Sequence, residues 1–199
     1  MMIEVNKLMI VLSFDIGLKN FSFSLVDFNA DKSRNYDILY IENKDLCPND
    51  KINKKFVMDQ TFLKRFHEYL KTKHYIFEKA NTCLIEKQLA KKNFKATKLF
   101  DQLQAHLYIF FPKLHVVGYS PSKKYTFISL GTSKYSTYRE RKNWGIEFSL
   151  NAIKLQDDEV ALEWFNSFKK KDDIADCLIC SWNYMIQYKS FLLENLIEI

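Results

Sequence analysis

Leu8-Met9-Ile10-Val11-Leu12-Ser13-Phe14-Asp15 is the stretch on which the fold turns. It is apolar almost without a break, where a strand with one wet face would alternate apolar and polar residues. A strand of this kind is covered on both faces, as in the middle of a layered α/β sheet. It also ends on a carboxylate. Charge at the end of a buried strand is costly unless something cationic meets it.

Working outward, Phe21–Phe28 and Tyr36–Glu42 are further short β-prone runs. Gly17–Asn20 joins the first to the second, and Asn29–Ser33 joins the second to the third. Connections this short favour an antiparallel meander. Thr61–Lys73 then carries Phe62, Leu63, Phe66 and Leu70 at helical spacing. A short strand follows at Thr82–Glu86. An amphipathic helix over Lys95–Phe110 shows Leu99, Leu103, Leu107 and Phe110 and stops before Pro112. His115–Tyr119 reads as a strand and Ser120–Arg141, polar and basic, mostly as loop. Lys142–Leu155, Glu159–Phe168 and Ile174–Tyr188 read as helices.

That order predicts one α/β domain over residues 1–199 with a ribonuclease H-like fold. Its mixed five-stranded sheet joins a three-strand antiparallel meander to parallel strands, flanked by helices. In that topology the first and fourth strands are parallel neighbours, so Asp15 and Glu86 converge at their C-terminal ends. Ligands bind open α/β sheets at such ends.

Glu86 closes the apolar run Thr82-Cys83-Leu84-Ile85 as Asp15 closes the first one. Asp173 and Asp176 lie three apart in Lys171-Asp172-Asp173-Ile174-Ala175-Asp176 and so share a helix face. Four carboxylates gathered this way suit hard divalent cations, which take oxygen ligands. Two such ions about 3.5–4 Å apart stabilise both the attacking and the leaving oxygen of a phosphoryl transfer. Each acid alone has a plainer explanation. Asp15 is a strand-end Asp before a Gly-containing loop, where Gly17 permits a positive φ and close backbone approach. Glu86 alone pairs with Lys87, and acids favour helix N-termini, the part assigned to Asp172. It is the set that points to a metal-dependent phosphodiesterase.

Composition narrows the class. The 199 residues are 47% hydrophobic and 27% charged, with a formal charge of +6 and a pI near 9.0. Acidic sites in a basic protein suit a polyanionic substrate. Cys47, Cys83, Cys177 and Cys180 follow nothing like a signal peptide, so reduced thiols and an intracellular location are expected. Cys177 and Cys180 have no further ligand pair and read as structural. His67, His74, His106 and His115 show no ligand spacing. No apolar run approaches the roughly 18 residues of a membrane span.

The chain resembles the Holliday junction resolvases of poxviruses and related large DNA viruses, relatives of bacterial RuvC. The resemblance rests on Phe14-Asp15-Ile16-Gly17-Leu18-Lys19-Asn20, Leu84-Ile85-Glu86-Lys87-Gln88, Tyr138-Arg139-Glu140-Arg141-Lys142 and Lys171-Asp172-Asp173-Ile174-Ala175-Asp176, in that order. The departures are in long polar linkers, Asn29–Lys55 and Ser122–Tyr135. The resemblance implies a homodimer that binds branched DNA and nicks four-way junctions symmetrically. It implies two Mg²⁺ ions per site, with Mn²⁺ substituting, held by Asp15, Glu86, Asp173 and Asp176. A poxviral source would place the protein in the host cytoplasm.

Basic residues cluster at Lys91, Lys92, Lys95 and Lys98, and at Lys169–Lys171. A third cluster, Lys123, Lys124, Lys134, Arg139, Arg141 and Lys142, is interleaved with Tyr125, Tyr135 and Tyr138, a pattern that suits stacking on unpaired bases. Lys123, Lys124, Arg139, Arg141 and Lys142 are therefore the candidate DNA contacts. Lys142 is also the candidate for stabilising charge that develops on the phosphate. The stripe Leu99, Leu103, Leu107, Phe110 serves either core or a two-fold contact. Two rivals remain: a nuclease of the same fold with another substrate, and a branched-DNA-binding protein without activity.

Overall fold

In a computed structural model the chain is described over residues 9–28, 35–48, 56–87, 93–120 and 137–197, the last with side chains to residue 188. Five strands, β1 (Ile10–Asp15), β2 (Phe21–Asp27), β3 (Asp37–Lys44), β4 (Thr82–Glu86) and β5 (His115–Tyr119), form one sheet in the order β3-β2-β1-β4-β5. β1 pairs antiparallel with β2, and β2 with β3; β1 pairs parallel with β4, and β4 with β5. Parallel neighbours need a crossover. One is supplied by α1 (Gln60–Lys71) and α2 (His74–Phe77), the other by α3 (Phe94–Phe110). Then come α4 (Tyr138–Leu155), α5 (Glu159–Ser167) and α6 (Lys171–Ile197).

The expected central strand is central. Val11, Leu12 and Ser13 are 0% exposed and Phe14 2%. Leu12 and Phe14 enter a core built with Phe21, Phe23, Phe62, Phe66, Leu70, Leu99, Leu103 and Leu107. On the opposite face Val11 packs with Leu84, Tyr119 and Cys180, while Val26 and Ile41 meet Ile174, Ala175 and Leu178. So α1 and α3 cover one face, and α6 lies across the other with α4 and α5 beside it. Buried serines line the α6 side: Ser13, Ser22 and Ser24, with Ser13 Oγ 2.6 Å from Ser181 Oγ.

Three elements differ from expectation, each for a local reason. Tyr138–Arg141 is helix, not loop, because Thr137 and Glu140 form a capping box that starts α4 four residues early. α6 opens at Lys171, so its acids lie in the first turns, and Asp172 is inside the helix, not its cap. α2 is a single extra turn after α1.

Three of the histidines meet. His106, 1% exposed, has His67 Nδ1 at 3.0 Å from its Nδ1 and His74 Nε2 at 2.9 Å from its Nε2. His67 Nε2 is 3.1 Å from Gln102 Oε1. One neutral tautomer set satisfies the chain: His74 donates to His106, His106 to His67, and His67 to Gln102. Phe110, half exposed, closes over His106 with ring centres 4.6 Å apart, whereas Leu99, Leu103 and Leu107 are core.

Candidate functional site

Asp15 is the last residue of β1 and Glu86 the last of β4. The parallel register ends at the pair Phe14↔Ile85, so the two acids stand one step beyond it on adjacent strands. Side chains alternate along a strand. Phe14 and Ile85 enter the α1–α3 core, which puts Asp15 and Glu86 on the α6 side.

α6 runs back along β1. Its Cys180 packs with Val11, Ser181 touches Ser13, and the carbonyl of Lys170 lies 3.5 Å from Asn43 Nδ2 at the far end of β3. From Ser13 to Asp15 is roughly 6.6 Å along a strand. From Ser181 back to Cys177 is about 6 Å along a helix. Asp176 and Asp173 therefore come level with the C-terminal end of β1. The four expected acids share one end of the sheet.

Asp173 and Asp176 are 5% and 7% exposed, and lysines meet them. Lys142 Nζ lies 3.0 Å from Asp176 Oδ2, 3.0 Å from Asp172 Oδ2 and 3.7 Å from Asp173 Oδ1. Lys170 Nζ donates to Asp173 Oδ2 at 2.6 Å. Lys142 arrives from α4 because Gly145, one turn on, lets α4 approach α6: a Cβ there would stand 3.3 Å from Ile179 Cδ1. Burial works against the Lys142 charge, but Asp176 and Asp172 outweigh it and hold its pKa above the ordinary lysine value. Burial raises the Asp173 pKa and Asp172 adds to the rise, against the pull of Lys170.

All five acids here, Asp172 included, offer oxygen donors, the chemistry that hard divalent ions select. The ammonium group of Lys142 stands in as a cation between Asp172 and Asp176. Ser22, opposite Asp15 in the β1–β2 register, has a fully buried hydroxyl with no hydrogen-bond partner among the described residues. The donor set thus fits a divalent cation. Among the described residues, though, no three His, Cys, Asp or Glu side chains are close enough to hold one together. The aspartates are arranged around lysine, and a metal would take the place of an ammonium group.

A profile of the Poxvirus A22 protein matches residues 9–188, which includes every element that builds this site. The chain belongs to the Poxvirus A22 protein family. It is also 28% identical to an uncharacterized protein, 97L, of Invertebrate iridescent virus 3, over 88% of this chain and all of that one. Among solved structures the fold is similar to a Fowlpox virus resolvase in complex with substrate Holliday junction DNA. That likeness has a TM-score of 0.58 and 19% identity, over 90% of this chain and 99% of that one. It is likewise similar to the yeast mitochondrial Holliday junction resolvase Ydc2, with a TM-score of 0.62 and 19% identity, over 92% and 85% of the two chains. RuvC of Thermus thermophilus follows at TM-score 0.57 and 13% identity, over 90% and 96%. The architecture is the RuvC-like, ribonuclease H-like one.

In this A22-family protein the other expected site residues are only partly placed. Arg139 and Arg141 are exposed on the first turn of α4 beside Lys142, and the Tyr138 ring lies 5.7 Å from Lys142 Nζ. Lys123, Lys124, Lys134, Tyr125 and Tyr135 lie outside the described residues, as do Gln88, Lys91 and Lys92. Gly17 does not adopt the positive φ allowed for it; it is needed because a Cβ would stand 2.8 Å from the Asn20 carbonyl oxygen. Asp172, expected as a cap, instead pairs with Lys142 at 3.0 Å, and its i, i+4 spacing to Asp176 on the same helix face is the sequence signal for that position. No described helix is long and apolar enough to cross a membrane.

Proposed function

We propose that this protein is a Holliday junction resolvase, a divalent-metal-dependent endonuclease that nicks two strands of a four-way DNA junction symmetrically. The observation that supports the reading is that Asp15 and Glu86 end the adjacent parallel strands β1 and β4 while Asp173 and Asp176 lie in the first turns of α6, in a Poxvirus A22 family member. The likeness to a fowlpox resolvase bound to Holliday junction DNA and to a yeast mitochondrial Holliday junction resolvase supports the junction as substrate.

In this reading Asp15, Glu86, Asp173 and Asp176 would hold two Mg²⁺ ions, or Mn²⁺ in their place, and the bound ions would supply an activated water and charge stabilisation for the oxygens of the displacement. Lys142, released from Asp176, neutralises charge on the scissile phosphate. Arg139 and Arg141 on α4, with Lys123 and Lys124 before it, hold flanking phosphates. Hydrolysis leaves a 5′-phosphate and a 3′-hydroxyl. Four carboxylates cannot choose a junction over a duplex, so selectivity comes from a homodimer that sets two sites on opposite strands. The exposed apolar residues Tyr108, Ile109 and Phe110 at the end of α3 support a protein contact. The role is resolution of viral genome concatemers and recombination intermediates, in the host cytoplasm if the source is a poxvirus.

The test is cleavage of a labelled four-way junction with Mg²⁺ by wild type and by Asp15→Asn. Paired nicks lost in the variant are expected, with junction affinity kept. Binding without cleavage, with Mn²⁺ as well, would leave a branched-DNA-binding protein.

A further inference from the structure

We propose that Asp172 is a positioning residue for Lys142: it keeps the ammonium group at the site when cations take Asp173 and Asp176. This rests on the resolvase reading above. Lys142 Nζ is equidistant, at 3.0 Å, from Asp172 Oδ2 and Asp176 Oδ2, with Asp173 Oδ1 at 3.7 Å. A divalent ion on Asp173 and Asp176 repels the ammonium from both, and Asp172 is the acid that remains to it.

The two lysines differ in what happens next. Lys170 precedes α6 and is 49% exposed, so it is free to leave for solvent. Lys142 is 17% exposed and sits on a helix fixed against α6 at Gly145, so its backbone stays put and only its side chain swings. Asp172 is 20% exposed, shielded enough from water for the pair to persist. It shares a helix face with Asp176 at i, i+4, so an ammonium anchored on it remains within one turn of the metal-binding acids. A charge held there is ready for the phosphate without reorganisation.

The experiment uses the full chain with Mg²⁺ and two readouts. The first is the ¹⁵N-ammonium NMR signal of Lys142 in Mg²⁺-loaded protein without DNA, identified by its loss in Lys142→Arg. The second is the single-turnover rate on saturating junction for Asp172→Asn, Asp172→Glu, Lys142→Met and Asp172→Asn/Lys142→Met. A slowly exchanging Lys142 signal is expected in wild type, erased by Asp172→Asn and restored by Asp172→Glu. The rate should fall on the order of 10- to 100-fold in Asp172→Asn, as when an outer-shell partner is lost. The double variant should be no slower than Lys142→Met.

A Lys142 signal absent from loaded wild type, or unchanged in Asp172→Asn, overturns the proposal. So does a rate loss that adds in full to that of Lys142→Met, which would make Asp172 act independently, as a metal ligand does. A lower melting temperature with unchanged rate would reduce it to a helix-dipole residue. Should wild type fail to cut while the signal still depends on Asp172, the resolvase reading falls and the pairing stands.

Discussion

On the α1–α3 face of the sheet three histidines meet and satisfy one another; on the α6 face three aspartates meet and draw in two lysines. The first cluster closes on itself, since each neutral imidazole has one donor and one acceptor and the chain ends on Gln102. Carboxylates accept only, so the second needs cations from elsewhere. Glu42 on β3 shows a lone acid solved internally: Tyr69 and Tyr40 donate to it at 3.0 and 2.6 Å, and Lys73 pairs with it at 2.5 Å. Polar groups that complete one another belong to the scaffold. Like charges crowded on the first turns of α6 depend instead on the ammonium groups of Lys142 and Lys170 that pair with them.

The contrast can be broken in four ways. Asp176→Asn should lower junction cleavage on the order of a thousandfold, the several kcal/mol that a bound metal supplies to a phosphoryl transition state. His106→Phe, on the other face, should leave the rate at neutral pH within about twofold per folded molecule. Equal losses in the two variants would erase the distinction. Phe66→Ala, beside the histidines and 2% exposed, should cost about 3–5 kcal/mol in denaturant unfolding without weakening Mn²⁺ binding.

The third way is pH. Burial first, then His67, His74 and Lys71, lower the His106 pKa from 6.5 to about 4. Between those values the unfolded chain binds a proton that the folded chain refuses. Stability is therefore full above pH 6.5 and falls toward pH 4, by about 3 kcal/mol at 1.36 kcal/mol per unit. His106→Phe should flatten that slope in urea titrations. Asp173, whose pKa is raised, works in the opposite sense, its folded form gaining relative stability as pH falls. The smallest effect is Ser181→Ala, which strips Ser13 of its buried partner and should cost about 1 kcal/mol by thermal unfolding. A cost above 3 kcal/mol would show that the serine layer under α6 carries more of the fold than its hydrogen bond explains.

The sheet order was legible because β1 declares burial on both faces and the short β1–β2–β3 connections leave little choice of pairing. The positions of the four acids, at the ends of β1 and β4 and on one face of α6, were legible because strand ends and an i, i+3 pair are one-dimensional signals. What joins them was less so. The Lys142 contacts cross from α4 to α6, over a separation of 34 residues in the Lys142–Asp176 pair, and depend on Gly145 for helix approach. The histidine cluster draws on α1, α2 and α3, so no single periodicity contains it. The start of α4 was readable in Thr137-Tyr138-Arg139-Glu140, but the polar, basic composition of Ser120–Arg141 outweighed a four-residue cap. Gly17 shows the limit of residue-type reasoning: a glycine in a turn signals either a positive φ or a close neighbour, and only coordinates separate the two.

The most direct test of the central claim is the cut-site map of a labelled four-way junction incubated with Mg²⁺ and either wild type or Asp15→Asn. Paired nicks, symmetric about the branch point, are expected from wild type alone while the variant still binds. Cleavage that survives in Asp15→Asn, or a wild type that binds and never cuts, would contradict it.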